Sequence, residues 1–215
     1  MRAPTASHDR DMTADLLTIG HSNLPADQFL GLLKAAAVTA IADVRSVPFS
    51  RRFPWFSSRT LADRLHGHGI AYFAMGDALG GRPVNPALYR DGIADYEAMA
   101  ATPEFRDGLD RVAAEARHHR LCLMCSEREP LECHRCLLVG RALSEGGVAV
   151  GHILADGSVE LHATTIQRML GLTKGKADLF GGQSLDEAYR RRAHKVAARL
   201  SDRVRPGRTP KAVSR

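Results

Sequence analysis

Four cysteines and their polar neighbours form the densest group of reactive side chains in the sequence. They are spaced as Cys122-x-x-Cys125 and Cys133-x-x-Cys136, with seven residues between the two pairs. Two such pairs are typical of a tetrahedral zinc site. A strand is expected over Leu121–Cys125, however, and it would turn Cys122 away from Cys125 because successive side chains alternate between faces. We therefore expect Cys122 and Cys136 in the core, and Cys125 and Cys133 at a site.

Cys133 has neighbours that favour an ionised thiol. Pro130 predicts the start of a helix, and Cys133 would lie in its first turn, where unpaired N–H groups and the helix dipole stabilise a thiolate. His134 and Arg135 follow directly. Such a thiolate serves as a nucleophile, a sulfur carrier or a ligand of zinc or iron. The alternative is that both candidate thiols are reduced and have no chemical role.

Three further side chains are candidates for proton transfer. Asp43 ends an apolar run, and Glu127 follows Cys125 by two residues. Two carboxylates on neighbouring loops are suited to general acid and base roles. The alternative for Asp43 is a structural ion pair with Arg45. His21 is either a general base or ligand, or a residue that fixes its own loop.

The segment after Asp43 is rich in arginine and aromatic residues. Arginine forks near aromatic faces suit phosphate, carboxylate or stacked bases. The alternative for the rings of Phe53, Trp55 and Phe56 is a hydrophobic lid over the sheet. The residues predicted to bind substrate are Arg45, Ser46, Arg51, His134 and Arg135.

Short apolar runs alternate with helical patterns along the chain. The predicted strands are Leu16–Gly20, Val38–Val44, Ile70–Met75, Leu121–Cys125 and Val148–Ala155, followed by a hairpin strand at Ser158–His162. The predicted helices are Pro25–Ala36, Ser58–Gly67, Thr102–His118 and Glu132–Ser144. This alternation predicts an α/β fold with a mostly parallel sheet and helices on both faces. Ligands bind at the carboxyl ends of such strands, where the candidate residues are expected.

The positive charge of the chain lies at its C-terminus. The 215 residues have a net charge of +6, yet residues 184–215 carry ten basic and three acidic side chains, and the other 183 residues carry 20 and 21. We expect a disordered segment over 1–14, an α/β domain over 15–183, and a basic helix and tail over 184–215. Ser184 and Glu187 are spaced as a capping box. The tail either contacts nucleic acid or is a solvated helix face with a frayed end.

Composition narrows the class of protein. Apolar residues make up 44% and charged residues 25%, which is typical of a globular chain. No apolar run is long enough to span a bilayer, and the charged start of the chain lacks the apolar region of a signal peptide. Cysteines confined to one segment do not form a distributed disulfide framework. We expect a soluble, cytoplasmic protein with no membrane partner.

Five ordered motifs resemble the family catalogued as domain of unknown function 488. They are Thr18-Ile19-Gly20-His21-Ser22, Asp43-Val44-Arg45-Ser46 with Pro48, Ser50 and Arg51, Leu79-Gly80-Gly81, Cys125-Ser126-Glu127 with Pro130, and Cys133-His134-Arg135. The resemblance covers roughly residues 16–162, and its motifs do not include Cys122 and Cys136. It implies a compact α/β domain of bacterial and archaeal cytoplasmic type, and no settled activity comes with it.

The sequence supports two functional hypotheses. The first is an enzyme that acts on a phosphate-bearing substrate, a nucleotide or a nucleic-acid base, with glycosidic cleavage, sulfur transfer and hydrolysis all open as reactions. Its predicted catalytic residues are Asp43, Cys125, Glu127, Cys133 and His21. The second is a module that binds zinc or iron through Cys125, Cys133 and either His134 or His21, and docks on nucleic acid through its basic tail.

Overall fold

The computed structural model of the protein describes residues 14–173 and 184–203. The strands are β1 (Leu16–Gly20), β2 (Ala40–Asp43), β3 (Ala71–Ala74), β4 (Tyr89–Arg90), β5 (Ile93–Ala94), β6 (Leu121–Cys125), β7 (Val150–Ile153) and β8 (Val159–Leu161). The helices are α1 (Ala26–Ala35), α2 (Ser58–His66), α3 (Gly76–Leu79), α4 (Tyr96–Ala100), α5 (Pro103–Ala116), α6 (Arg141–Glu145), α7 (His162–Thr173) and α8 (Leu185–Val196).

Six strands form the central sheet, in the order β3-β2-β6-β1-β7-β8. All of its pairings are parallel except β7 with β8, which is antiparallel. The predicted α/β fold is confirmed. Because β2, β6 and β1 are neighbours, the loops that follow them meet at one edge of the sheet.

Each face of the sheet has its own apolar core. Leu33 of α1 and Leu65 of α2 pack on one face, and Phe105 of α5 and Met169 of α7 pack on the other. Every residue of β1, β2 and β6 is buried, as expected of parallel strands that are covered on both sides.

The expected alternation along β6 is present. Leu121, Leu123 and Cys125 belong to one core, and Cys122 and Met124 to the other. Cys122 and Cys125 therefore lie on opposite faces of the sheet, and they do not form one four-cysteine centre with Cys133 and Cys136.

Two regions differ from the prediction. Residues 76–100, where the sequence predicts no helix or strand, contain α3, the two-stranded sheet β4-β5 and α4. The helix predicted over Glu132–Ser144 is a short 3-10 turn (Pro130–Glu132), a π-helical segment (Arg135–Gly140) and then α6. Cys133 ends the 3-10 turn in extended conformation, with φ −137° and ψ 140°. It therefore precedes the helix and does not lie in its first turn.

Helix α8 begins where the sequence predicts. The Ser184 side chain accepts a hydrogen bond from the Glu187 N–H, which caps the first turn. Tyr189 of α8 is buried against the domain. The basic side chain of Arg192 in this helix also contacts the domain, because it donates to the Leu131 carbonyl at 2.7 Å. This part of the basic segment therefore contributes to tertiary structure.

The expected disordered N-terminus falls mostly on residues 1–13, and the expected disordered tail falls on 204–215. Both lie outside the described residues. Among the helices of 14–173 and 184–203, none has the length and apolar character needed to cross a bilayer.

Candidate functional site

A cavity of about 380 Å³ opens at the carboxyl ends of β2 and β6. Cavities of this size are typical of small-molecule sites. Five residues predicted to form the site line it: Arg45, Ser46, Cys125, Glu127 and His134. We call it the site cavity. His21, Asp43, Cys133 and Arg135 lie behind this lining and contact it, whereas Arg51 is exposed and outside it.

Asp43 is fully engaged by its neighbours. One carboxylate oxygen accepts from the backbone N–H of Arg45 at 3.1 Å and from its Nε at 2.8 Å. The other accepts from Arg45 Nη2 at 2.5 Å and from the Tyr72 hydroxyl at 2.7 Å. The side chains of Asp43 and Arg45 are almost completely buried. This geometry is that of the structural ion pair, which orients Arg45 toward the site cavity.

His21 is held in one tautomer. Arg45 Nη1 donates to its Nε2 at 3.1 Å, so the proton lies on Nδ1, which donates to the Ser22 carbonyl at 2.9 Å. The ring stacks on Phe56 at a centroid distance of 4.1 Å. Burial, and then the positive charge of Arg45, lower the pKa of His21 to about 4. The imidazole is therefore neutral, and it positions Arg45.

Four donor groups converge beside the cavity. Glu127 Oε2 lies 3.0 Å from Cys125 Sγ and 3.1 Å from Cys133 Sγ. His134 Nδ1 lies 3.6 Å and 3.9 Å from the same two sulfurs. The thiols and the imidazole are buried, and Glu127 is exposed. We call these residues, Cys125, Glu127, Cys133 and His134, the thiol cluster.

The two thiols of this cluster are electrostatically different. Burial opposes ionisation of Cys133, but its contact with Cys125 and the positive charge of Arg135 outweigh burial and hold its pKa well below the usual range. Burial and the contact with Cys133 raise the pKa of Cys125 well above that range. The backbone N–H of Arg135 also donates to Cys133 Sγ at 3.4 Å. Cys133 is therefore the thiol that ionises first.

Two residues fix the loop after β6. The buried guanidinium of Arg135 donates to the carbonyls of Glu127 at 2.6 Å and Arg128 at 3.0 Å. Gly20, at the end of β1, passes so close that a Cβ there would lie 1.7 Å from the Glu127 carbonyl oxygen. Arg135 therefore acts on loop geometry and not at the cavity surface.

Sequence reasoning missed part of the cavity wall. Phe49, Arg82 and Tyr96 line the cavity, as do residues 196–198 at the end of α8. The Leu79-Gly80-Gly81 motif lies directly before Arg82, but no periodicity predicts a role for Tyr96. Its position depends on α4, which Asp95 caps by accepting from the N–H groups of Glu97 and Ala98.

The aromatic residues Trp55 and Phe56 pack against α1 and the loop that follows β1. Phe56 is fully buried, and its ring meets Phe29 edge-on at 5.1 Å. Trp55 Nε1 donates to the Leu24 carbonyl at 3.2 Å. Phe49, in contrast, is 64% exposed and lines the cavity. Phe49 therefore presents an exposed ring to the cavity, whereas Tyr96 in the same lining is buried.

Two buried histidines, His152 of β7 and His162 of α7, form a hydrogen-bonded group next to β1. His152 Nδ1 lies 2.7 Å from Thr18 Oγ1, and His152 Nε2 lies 3.0 Å from His162 Nδ1. His162 Nε2 lies 3.0 Å from the Tyr189 hydroxyl. This chain of hydrogen bonds joins β1, β7, α7 and α8. Burial lowers the pKa of His162 to about 4 and that of His152 well below its usual value.

These histidines predict a pH-dependent stability. The pKa of His162 is about 4 in the folded protein, against 6.5 for an unperturbed histidine. The unfolded chain therefore binds more protons in this interval, and the free energy of unfolding should decrease from pH 6.5 to 4, by about 3 kcal/mol for this residue alone. Denaturant titrations across this range measure the slope. H162Q should flatten it, and the exposed His68 provides the control H68Q. Equal slopes in both variants would contradict the prediction.

Comparison with known proteins identifies a family for this chain. Residues 25–142 match the family model described as a domain of unknown function, DUF488. No curated protein and no solved structure matches the chain. The match spans β2, β3 and β6 and includes the Asp43–Arg45 pair and the whole thiol cluster, which agrees with the resemblance of the sequence motifs. With more than half of its length covered by the family model, the chain belongs to the DUF488 family.

Proposed function

We propose that the protein is an enzyme that acts on a phosphate-bearing substrate of the nucleotide or nucleic-acid-base class. The observation that carries the proposal is the convergence of the thiol cluster and of two arginines on one cavity. Arg45 and Arg82 line the cavity together with Cys125, Glu127 and His134. A site that holds a reactive group next to guanidinium groups is suited to chemistry on an anionic substrate.

The residue types in the cavity lining suit the different parts of a nucleotide. Ser46 Oγ accepts from the backbone N–H of Arg82 at 2.9 Å, which joins the two loops that carry the arginines. Guanidinium groups on this side suit a phosphate. The exposed ring of Phe49 offers a stacking face for a base. Glu127 supplies acceptors for the amino groups of a base or for a proton.

Binding measurements test the substrate class. We expect nucleoside monophosphates or short single-stranded oligonucleotides to bind more tightly than inorganic phosphate, as measured by calorimetry. F49A should weaken binding of the nucleotide about 10-fold and leave phosphate binding unchanged, because stacking on one ring contributes roughly 1–3 kcal/mol. R82Q should weaken both by about 10-fold, the typical contribution of a hydrogen bond to a charged group.

The control for these variants is R106Q, since Arg106 is exposed on α5 and outside the cavity lining. Its affinities should equal those of the wild type. Absence of binding to every compound, or affinities unchanged in both F49A and R82Q, would contradict the proposal.

The thiol cluster is expected to carry out the reaction on the bound compound. C125A should abolish turnover of the nucleotide that binds best. Turnover is measured by analysing the products for free base, inorganic phosphate and sulfur-modified compound. Cys122 provides a matched control, because it is equally buried on the same strand and faces the other core. C122A should retain turnover, and equal activity in the two variants would exclude this role for Cys125.

A further inference from the structure

The thiol cluster has the composition and spacing of a metal centre. The donor atoms of Cys125, Glu127, Cys133 and His134 all lie within 4.8 Å of one another. A nucleophilic thiol requires one cysteine and one base. Here a second buried thiol and a carboxylate lie beside the first thiol and the imidazole. A nucleophilic cysteine does not require these two extra groups, whereas a bound cation uses them as ligands.

His134 is oriented as a metal ligand. Its Nε2 lies 2.9 Å from the Val44 carbonyl oxygen, which can only accept, so the ring proton lies on Nε2. The lone pair of Nδ1 is thereby directed toward the two sulfurs. Ligating histidines usually donate their other N–H to a carbonyl or a carboxylate in this way, because that contact fixes the ring and its tautomer.

The surrounding backbone keeps this geometry in place. Arg135 donates to the carbonyls of Glu127 and Arg128 and so fixes the loop that carries Glu127. Gly81 packs on the other side of His134, where a Cβ would come within 2.6 Å of the ring. The ligands are therefore positioned before any ion binds.

The donor types select the ion. Two cysteine sulfurs and one imidazole nitrogen favour zinc over magnesium or calcium, which prefer oxygen ligands. We propose that the protein binds zinc through Cys125, Cys133 and His134, with Glu127 as the ligand on the cavity side. Metal binding stands on this geometry alone, and its use in catalysis rests on the proposed function.

Glu127 differs from the other three ligands in exposure. It is exposed and lines the site cavity, whereas the two cysteines and His134 are buried. It is therefore the ligand that a water molecule or a substrate atom replaces. A catalytic zinc keeps three protein ligands and one exchangeable position. A water molecule in that position would pass its proton to the displaced Glu127 carboxylate, which leaves hydroxide on the metal.

The second group of potential ligands is Cys136, His152 and His162. Its imidazole nitrogens are already bonded to Thr18, to each other and to Tyr189. The group is buried and lies outside the lining of the site cavity. It serves as the control for the thiol cluster.

Zinc titration of the full chain tests the inference. The protein is treated with a chelator, dialysed and titrated with zinc against a chromophoric competitor, and cobalt is used in parallel to detect thiolate ligands by their charge-transfer band. The wild type should bind one ion per chain. C125A, C133A and H134A should each lose this binding, while C122A and C136A should retain it.

Two further measurements separate loss of a ligand from loss of folding. Zinc should raise the unfolding midpoint of the wild type and of C122A, because an ion that binds only the folded state stabilises it. E127Q should retain zinc with lower affinity and should shift the cobalt spectrum. Equal zinc affinity in the wild type and the three ligand variants, or no effect of zinc on the midpoint, would overturn the inference.

The outcomes also separate this inference from the proposed function. If the metal-free protein fails to bind zinc but binds nucleotides with the F49A and R82Q effects, the metal centre is wrong and the substrate class stands. If zinc binds as expected and no nucleotide does, the metal centre stands and the substrate class is wrong.

Discussion

The variant D43N should lower the free energy of unfolding by about 3–5 kcal/mol, the usual cost of removing one partner of a buried ion pair. The Arg45 side chain is 3% exposed, and in D43N its positive charge would lose its carboxylate counter-ion. An asparagine amide would place one N–H donor against the guanidinium or against the Tyr72 hydroxyl, both of which now donate to Asp43. Denaturant unfolding at neutral pH measures the loss.

The matched control is D27N. Asp27 also pairs with an arginine, Arg64, at 3.2 Å, but its side chain is 94% exposed. Exposed pairs contribute little to stability, so this variant should unfold close to the wild type. Equal free energies of unfolding for D43N and D27N would contradict the predicted contribution of the buried pair to stability. The structure also predicts that D43N loses ligand binding, because Asp43 orients Arg45 toward the site cavity.

The second large effect is expected from G20A. A Cβ at residue 20 would lie 1.7 Å from the Glu127 carbonyl oxygen and 2.7 Å from its carbon, both of them backbone atoms. The loop after β6 would have to move, and with it the ligands of the thiol cluster. We expect a loss of about 3 kcal/mol in the free energy of unfolding, at the upper end for overpacking, and a loss of zinc binding.

Gly31 of α1 provides the opposite case. A Cβ there meets no atom within 4 Å. G31A should raise the free energy of unfolding by up to about 1 kcal/mol, because alanine is the better helix former. Both variants are measured by denaturant unfolding. Opposite signs for the two substitutions are the expected result, and a stable G20A with normal zinc binding would contradict the close approach.

Local pattern was sufficient to predict much of the fold. The alternation of apolar strands and amphipathic helices predicted the parallel sheet, and the two-residue period of β6 separated Cys122 from Cys125 correctly. The rule that ligands bind at the carboxyl ends of strands placed Arg45, Cys125 and Glu127 at one edge. These predictions depend on short-range periodicity, which a sequence displays directly.

The remaining features depend on contacts between distant residues. Tyr72 completes the partners of Asp43, yet its hydroxyl comes from β3, 29 residues away. Strands β4 and β5 have two residues each, too few to show a period. The extended conformation of Cys133 follows from a 3-10 turn that helical spacing does not distinguish from a helix start. Such features arise from tertiary packing and leave no local pattern.

The chain that follows α8 imposes a practical condition on studies of the basic tail. Residues 196–198 form one side of the site cavity, and Ala94 N–H donates to the Ala198 carbonyl at 2.9 Å. A protein that lacks residues 184–215 would therefore lose one wall of the site cavity together with the charge of the tail. Weaker nucleic-acid binding by that protein would then have two causes. Shortening from residue 204 onward removes Arg205, Arg208, Lys211 and Arg215 and keeps the wall. In that form, a changed salt dependence of binding reports on the tail alone.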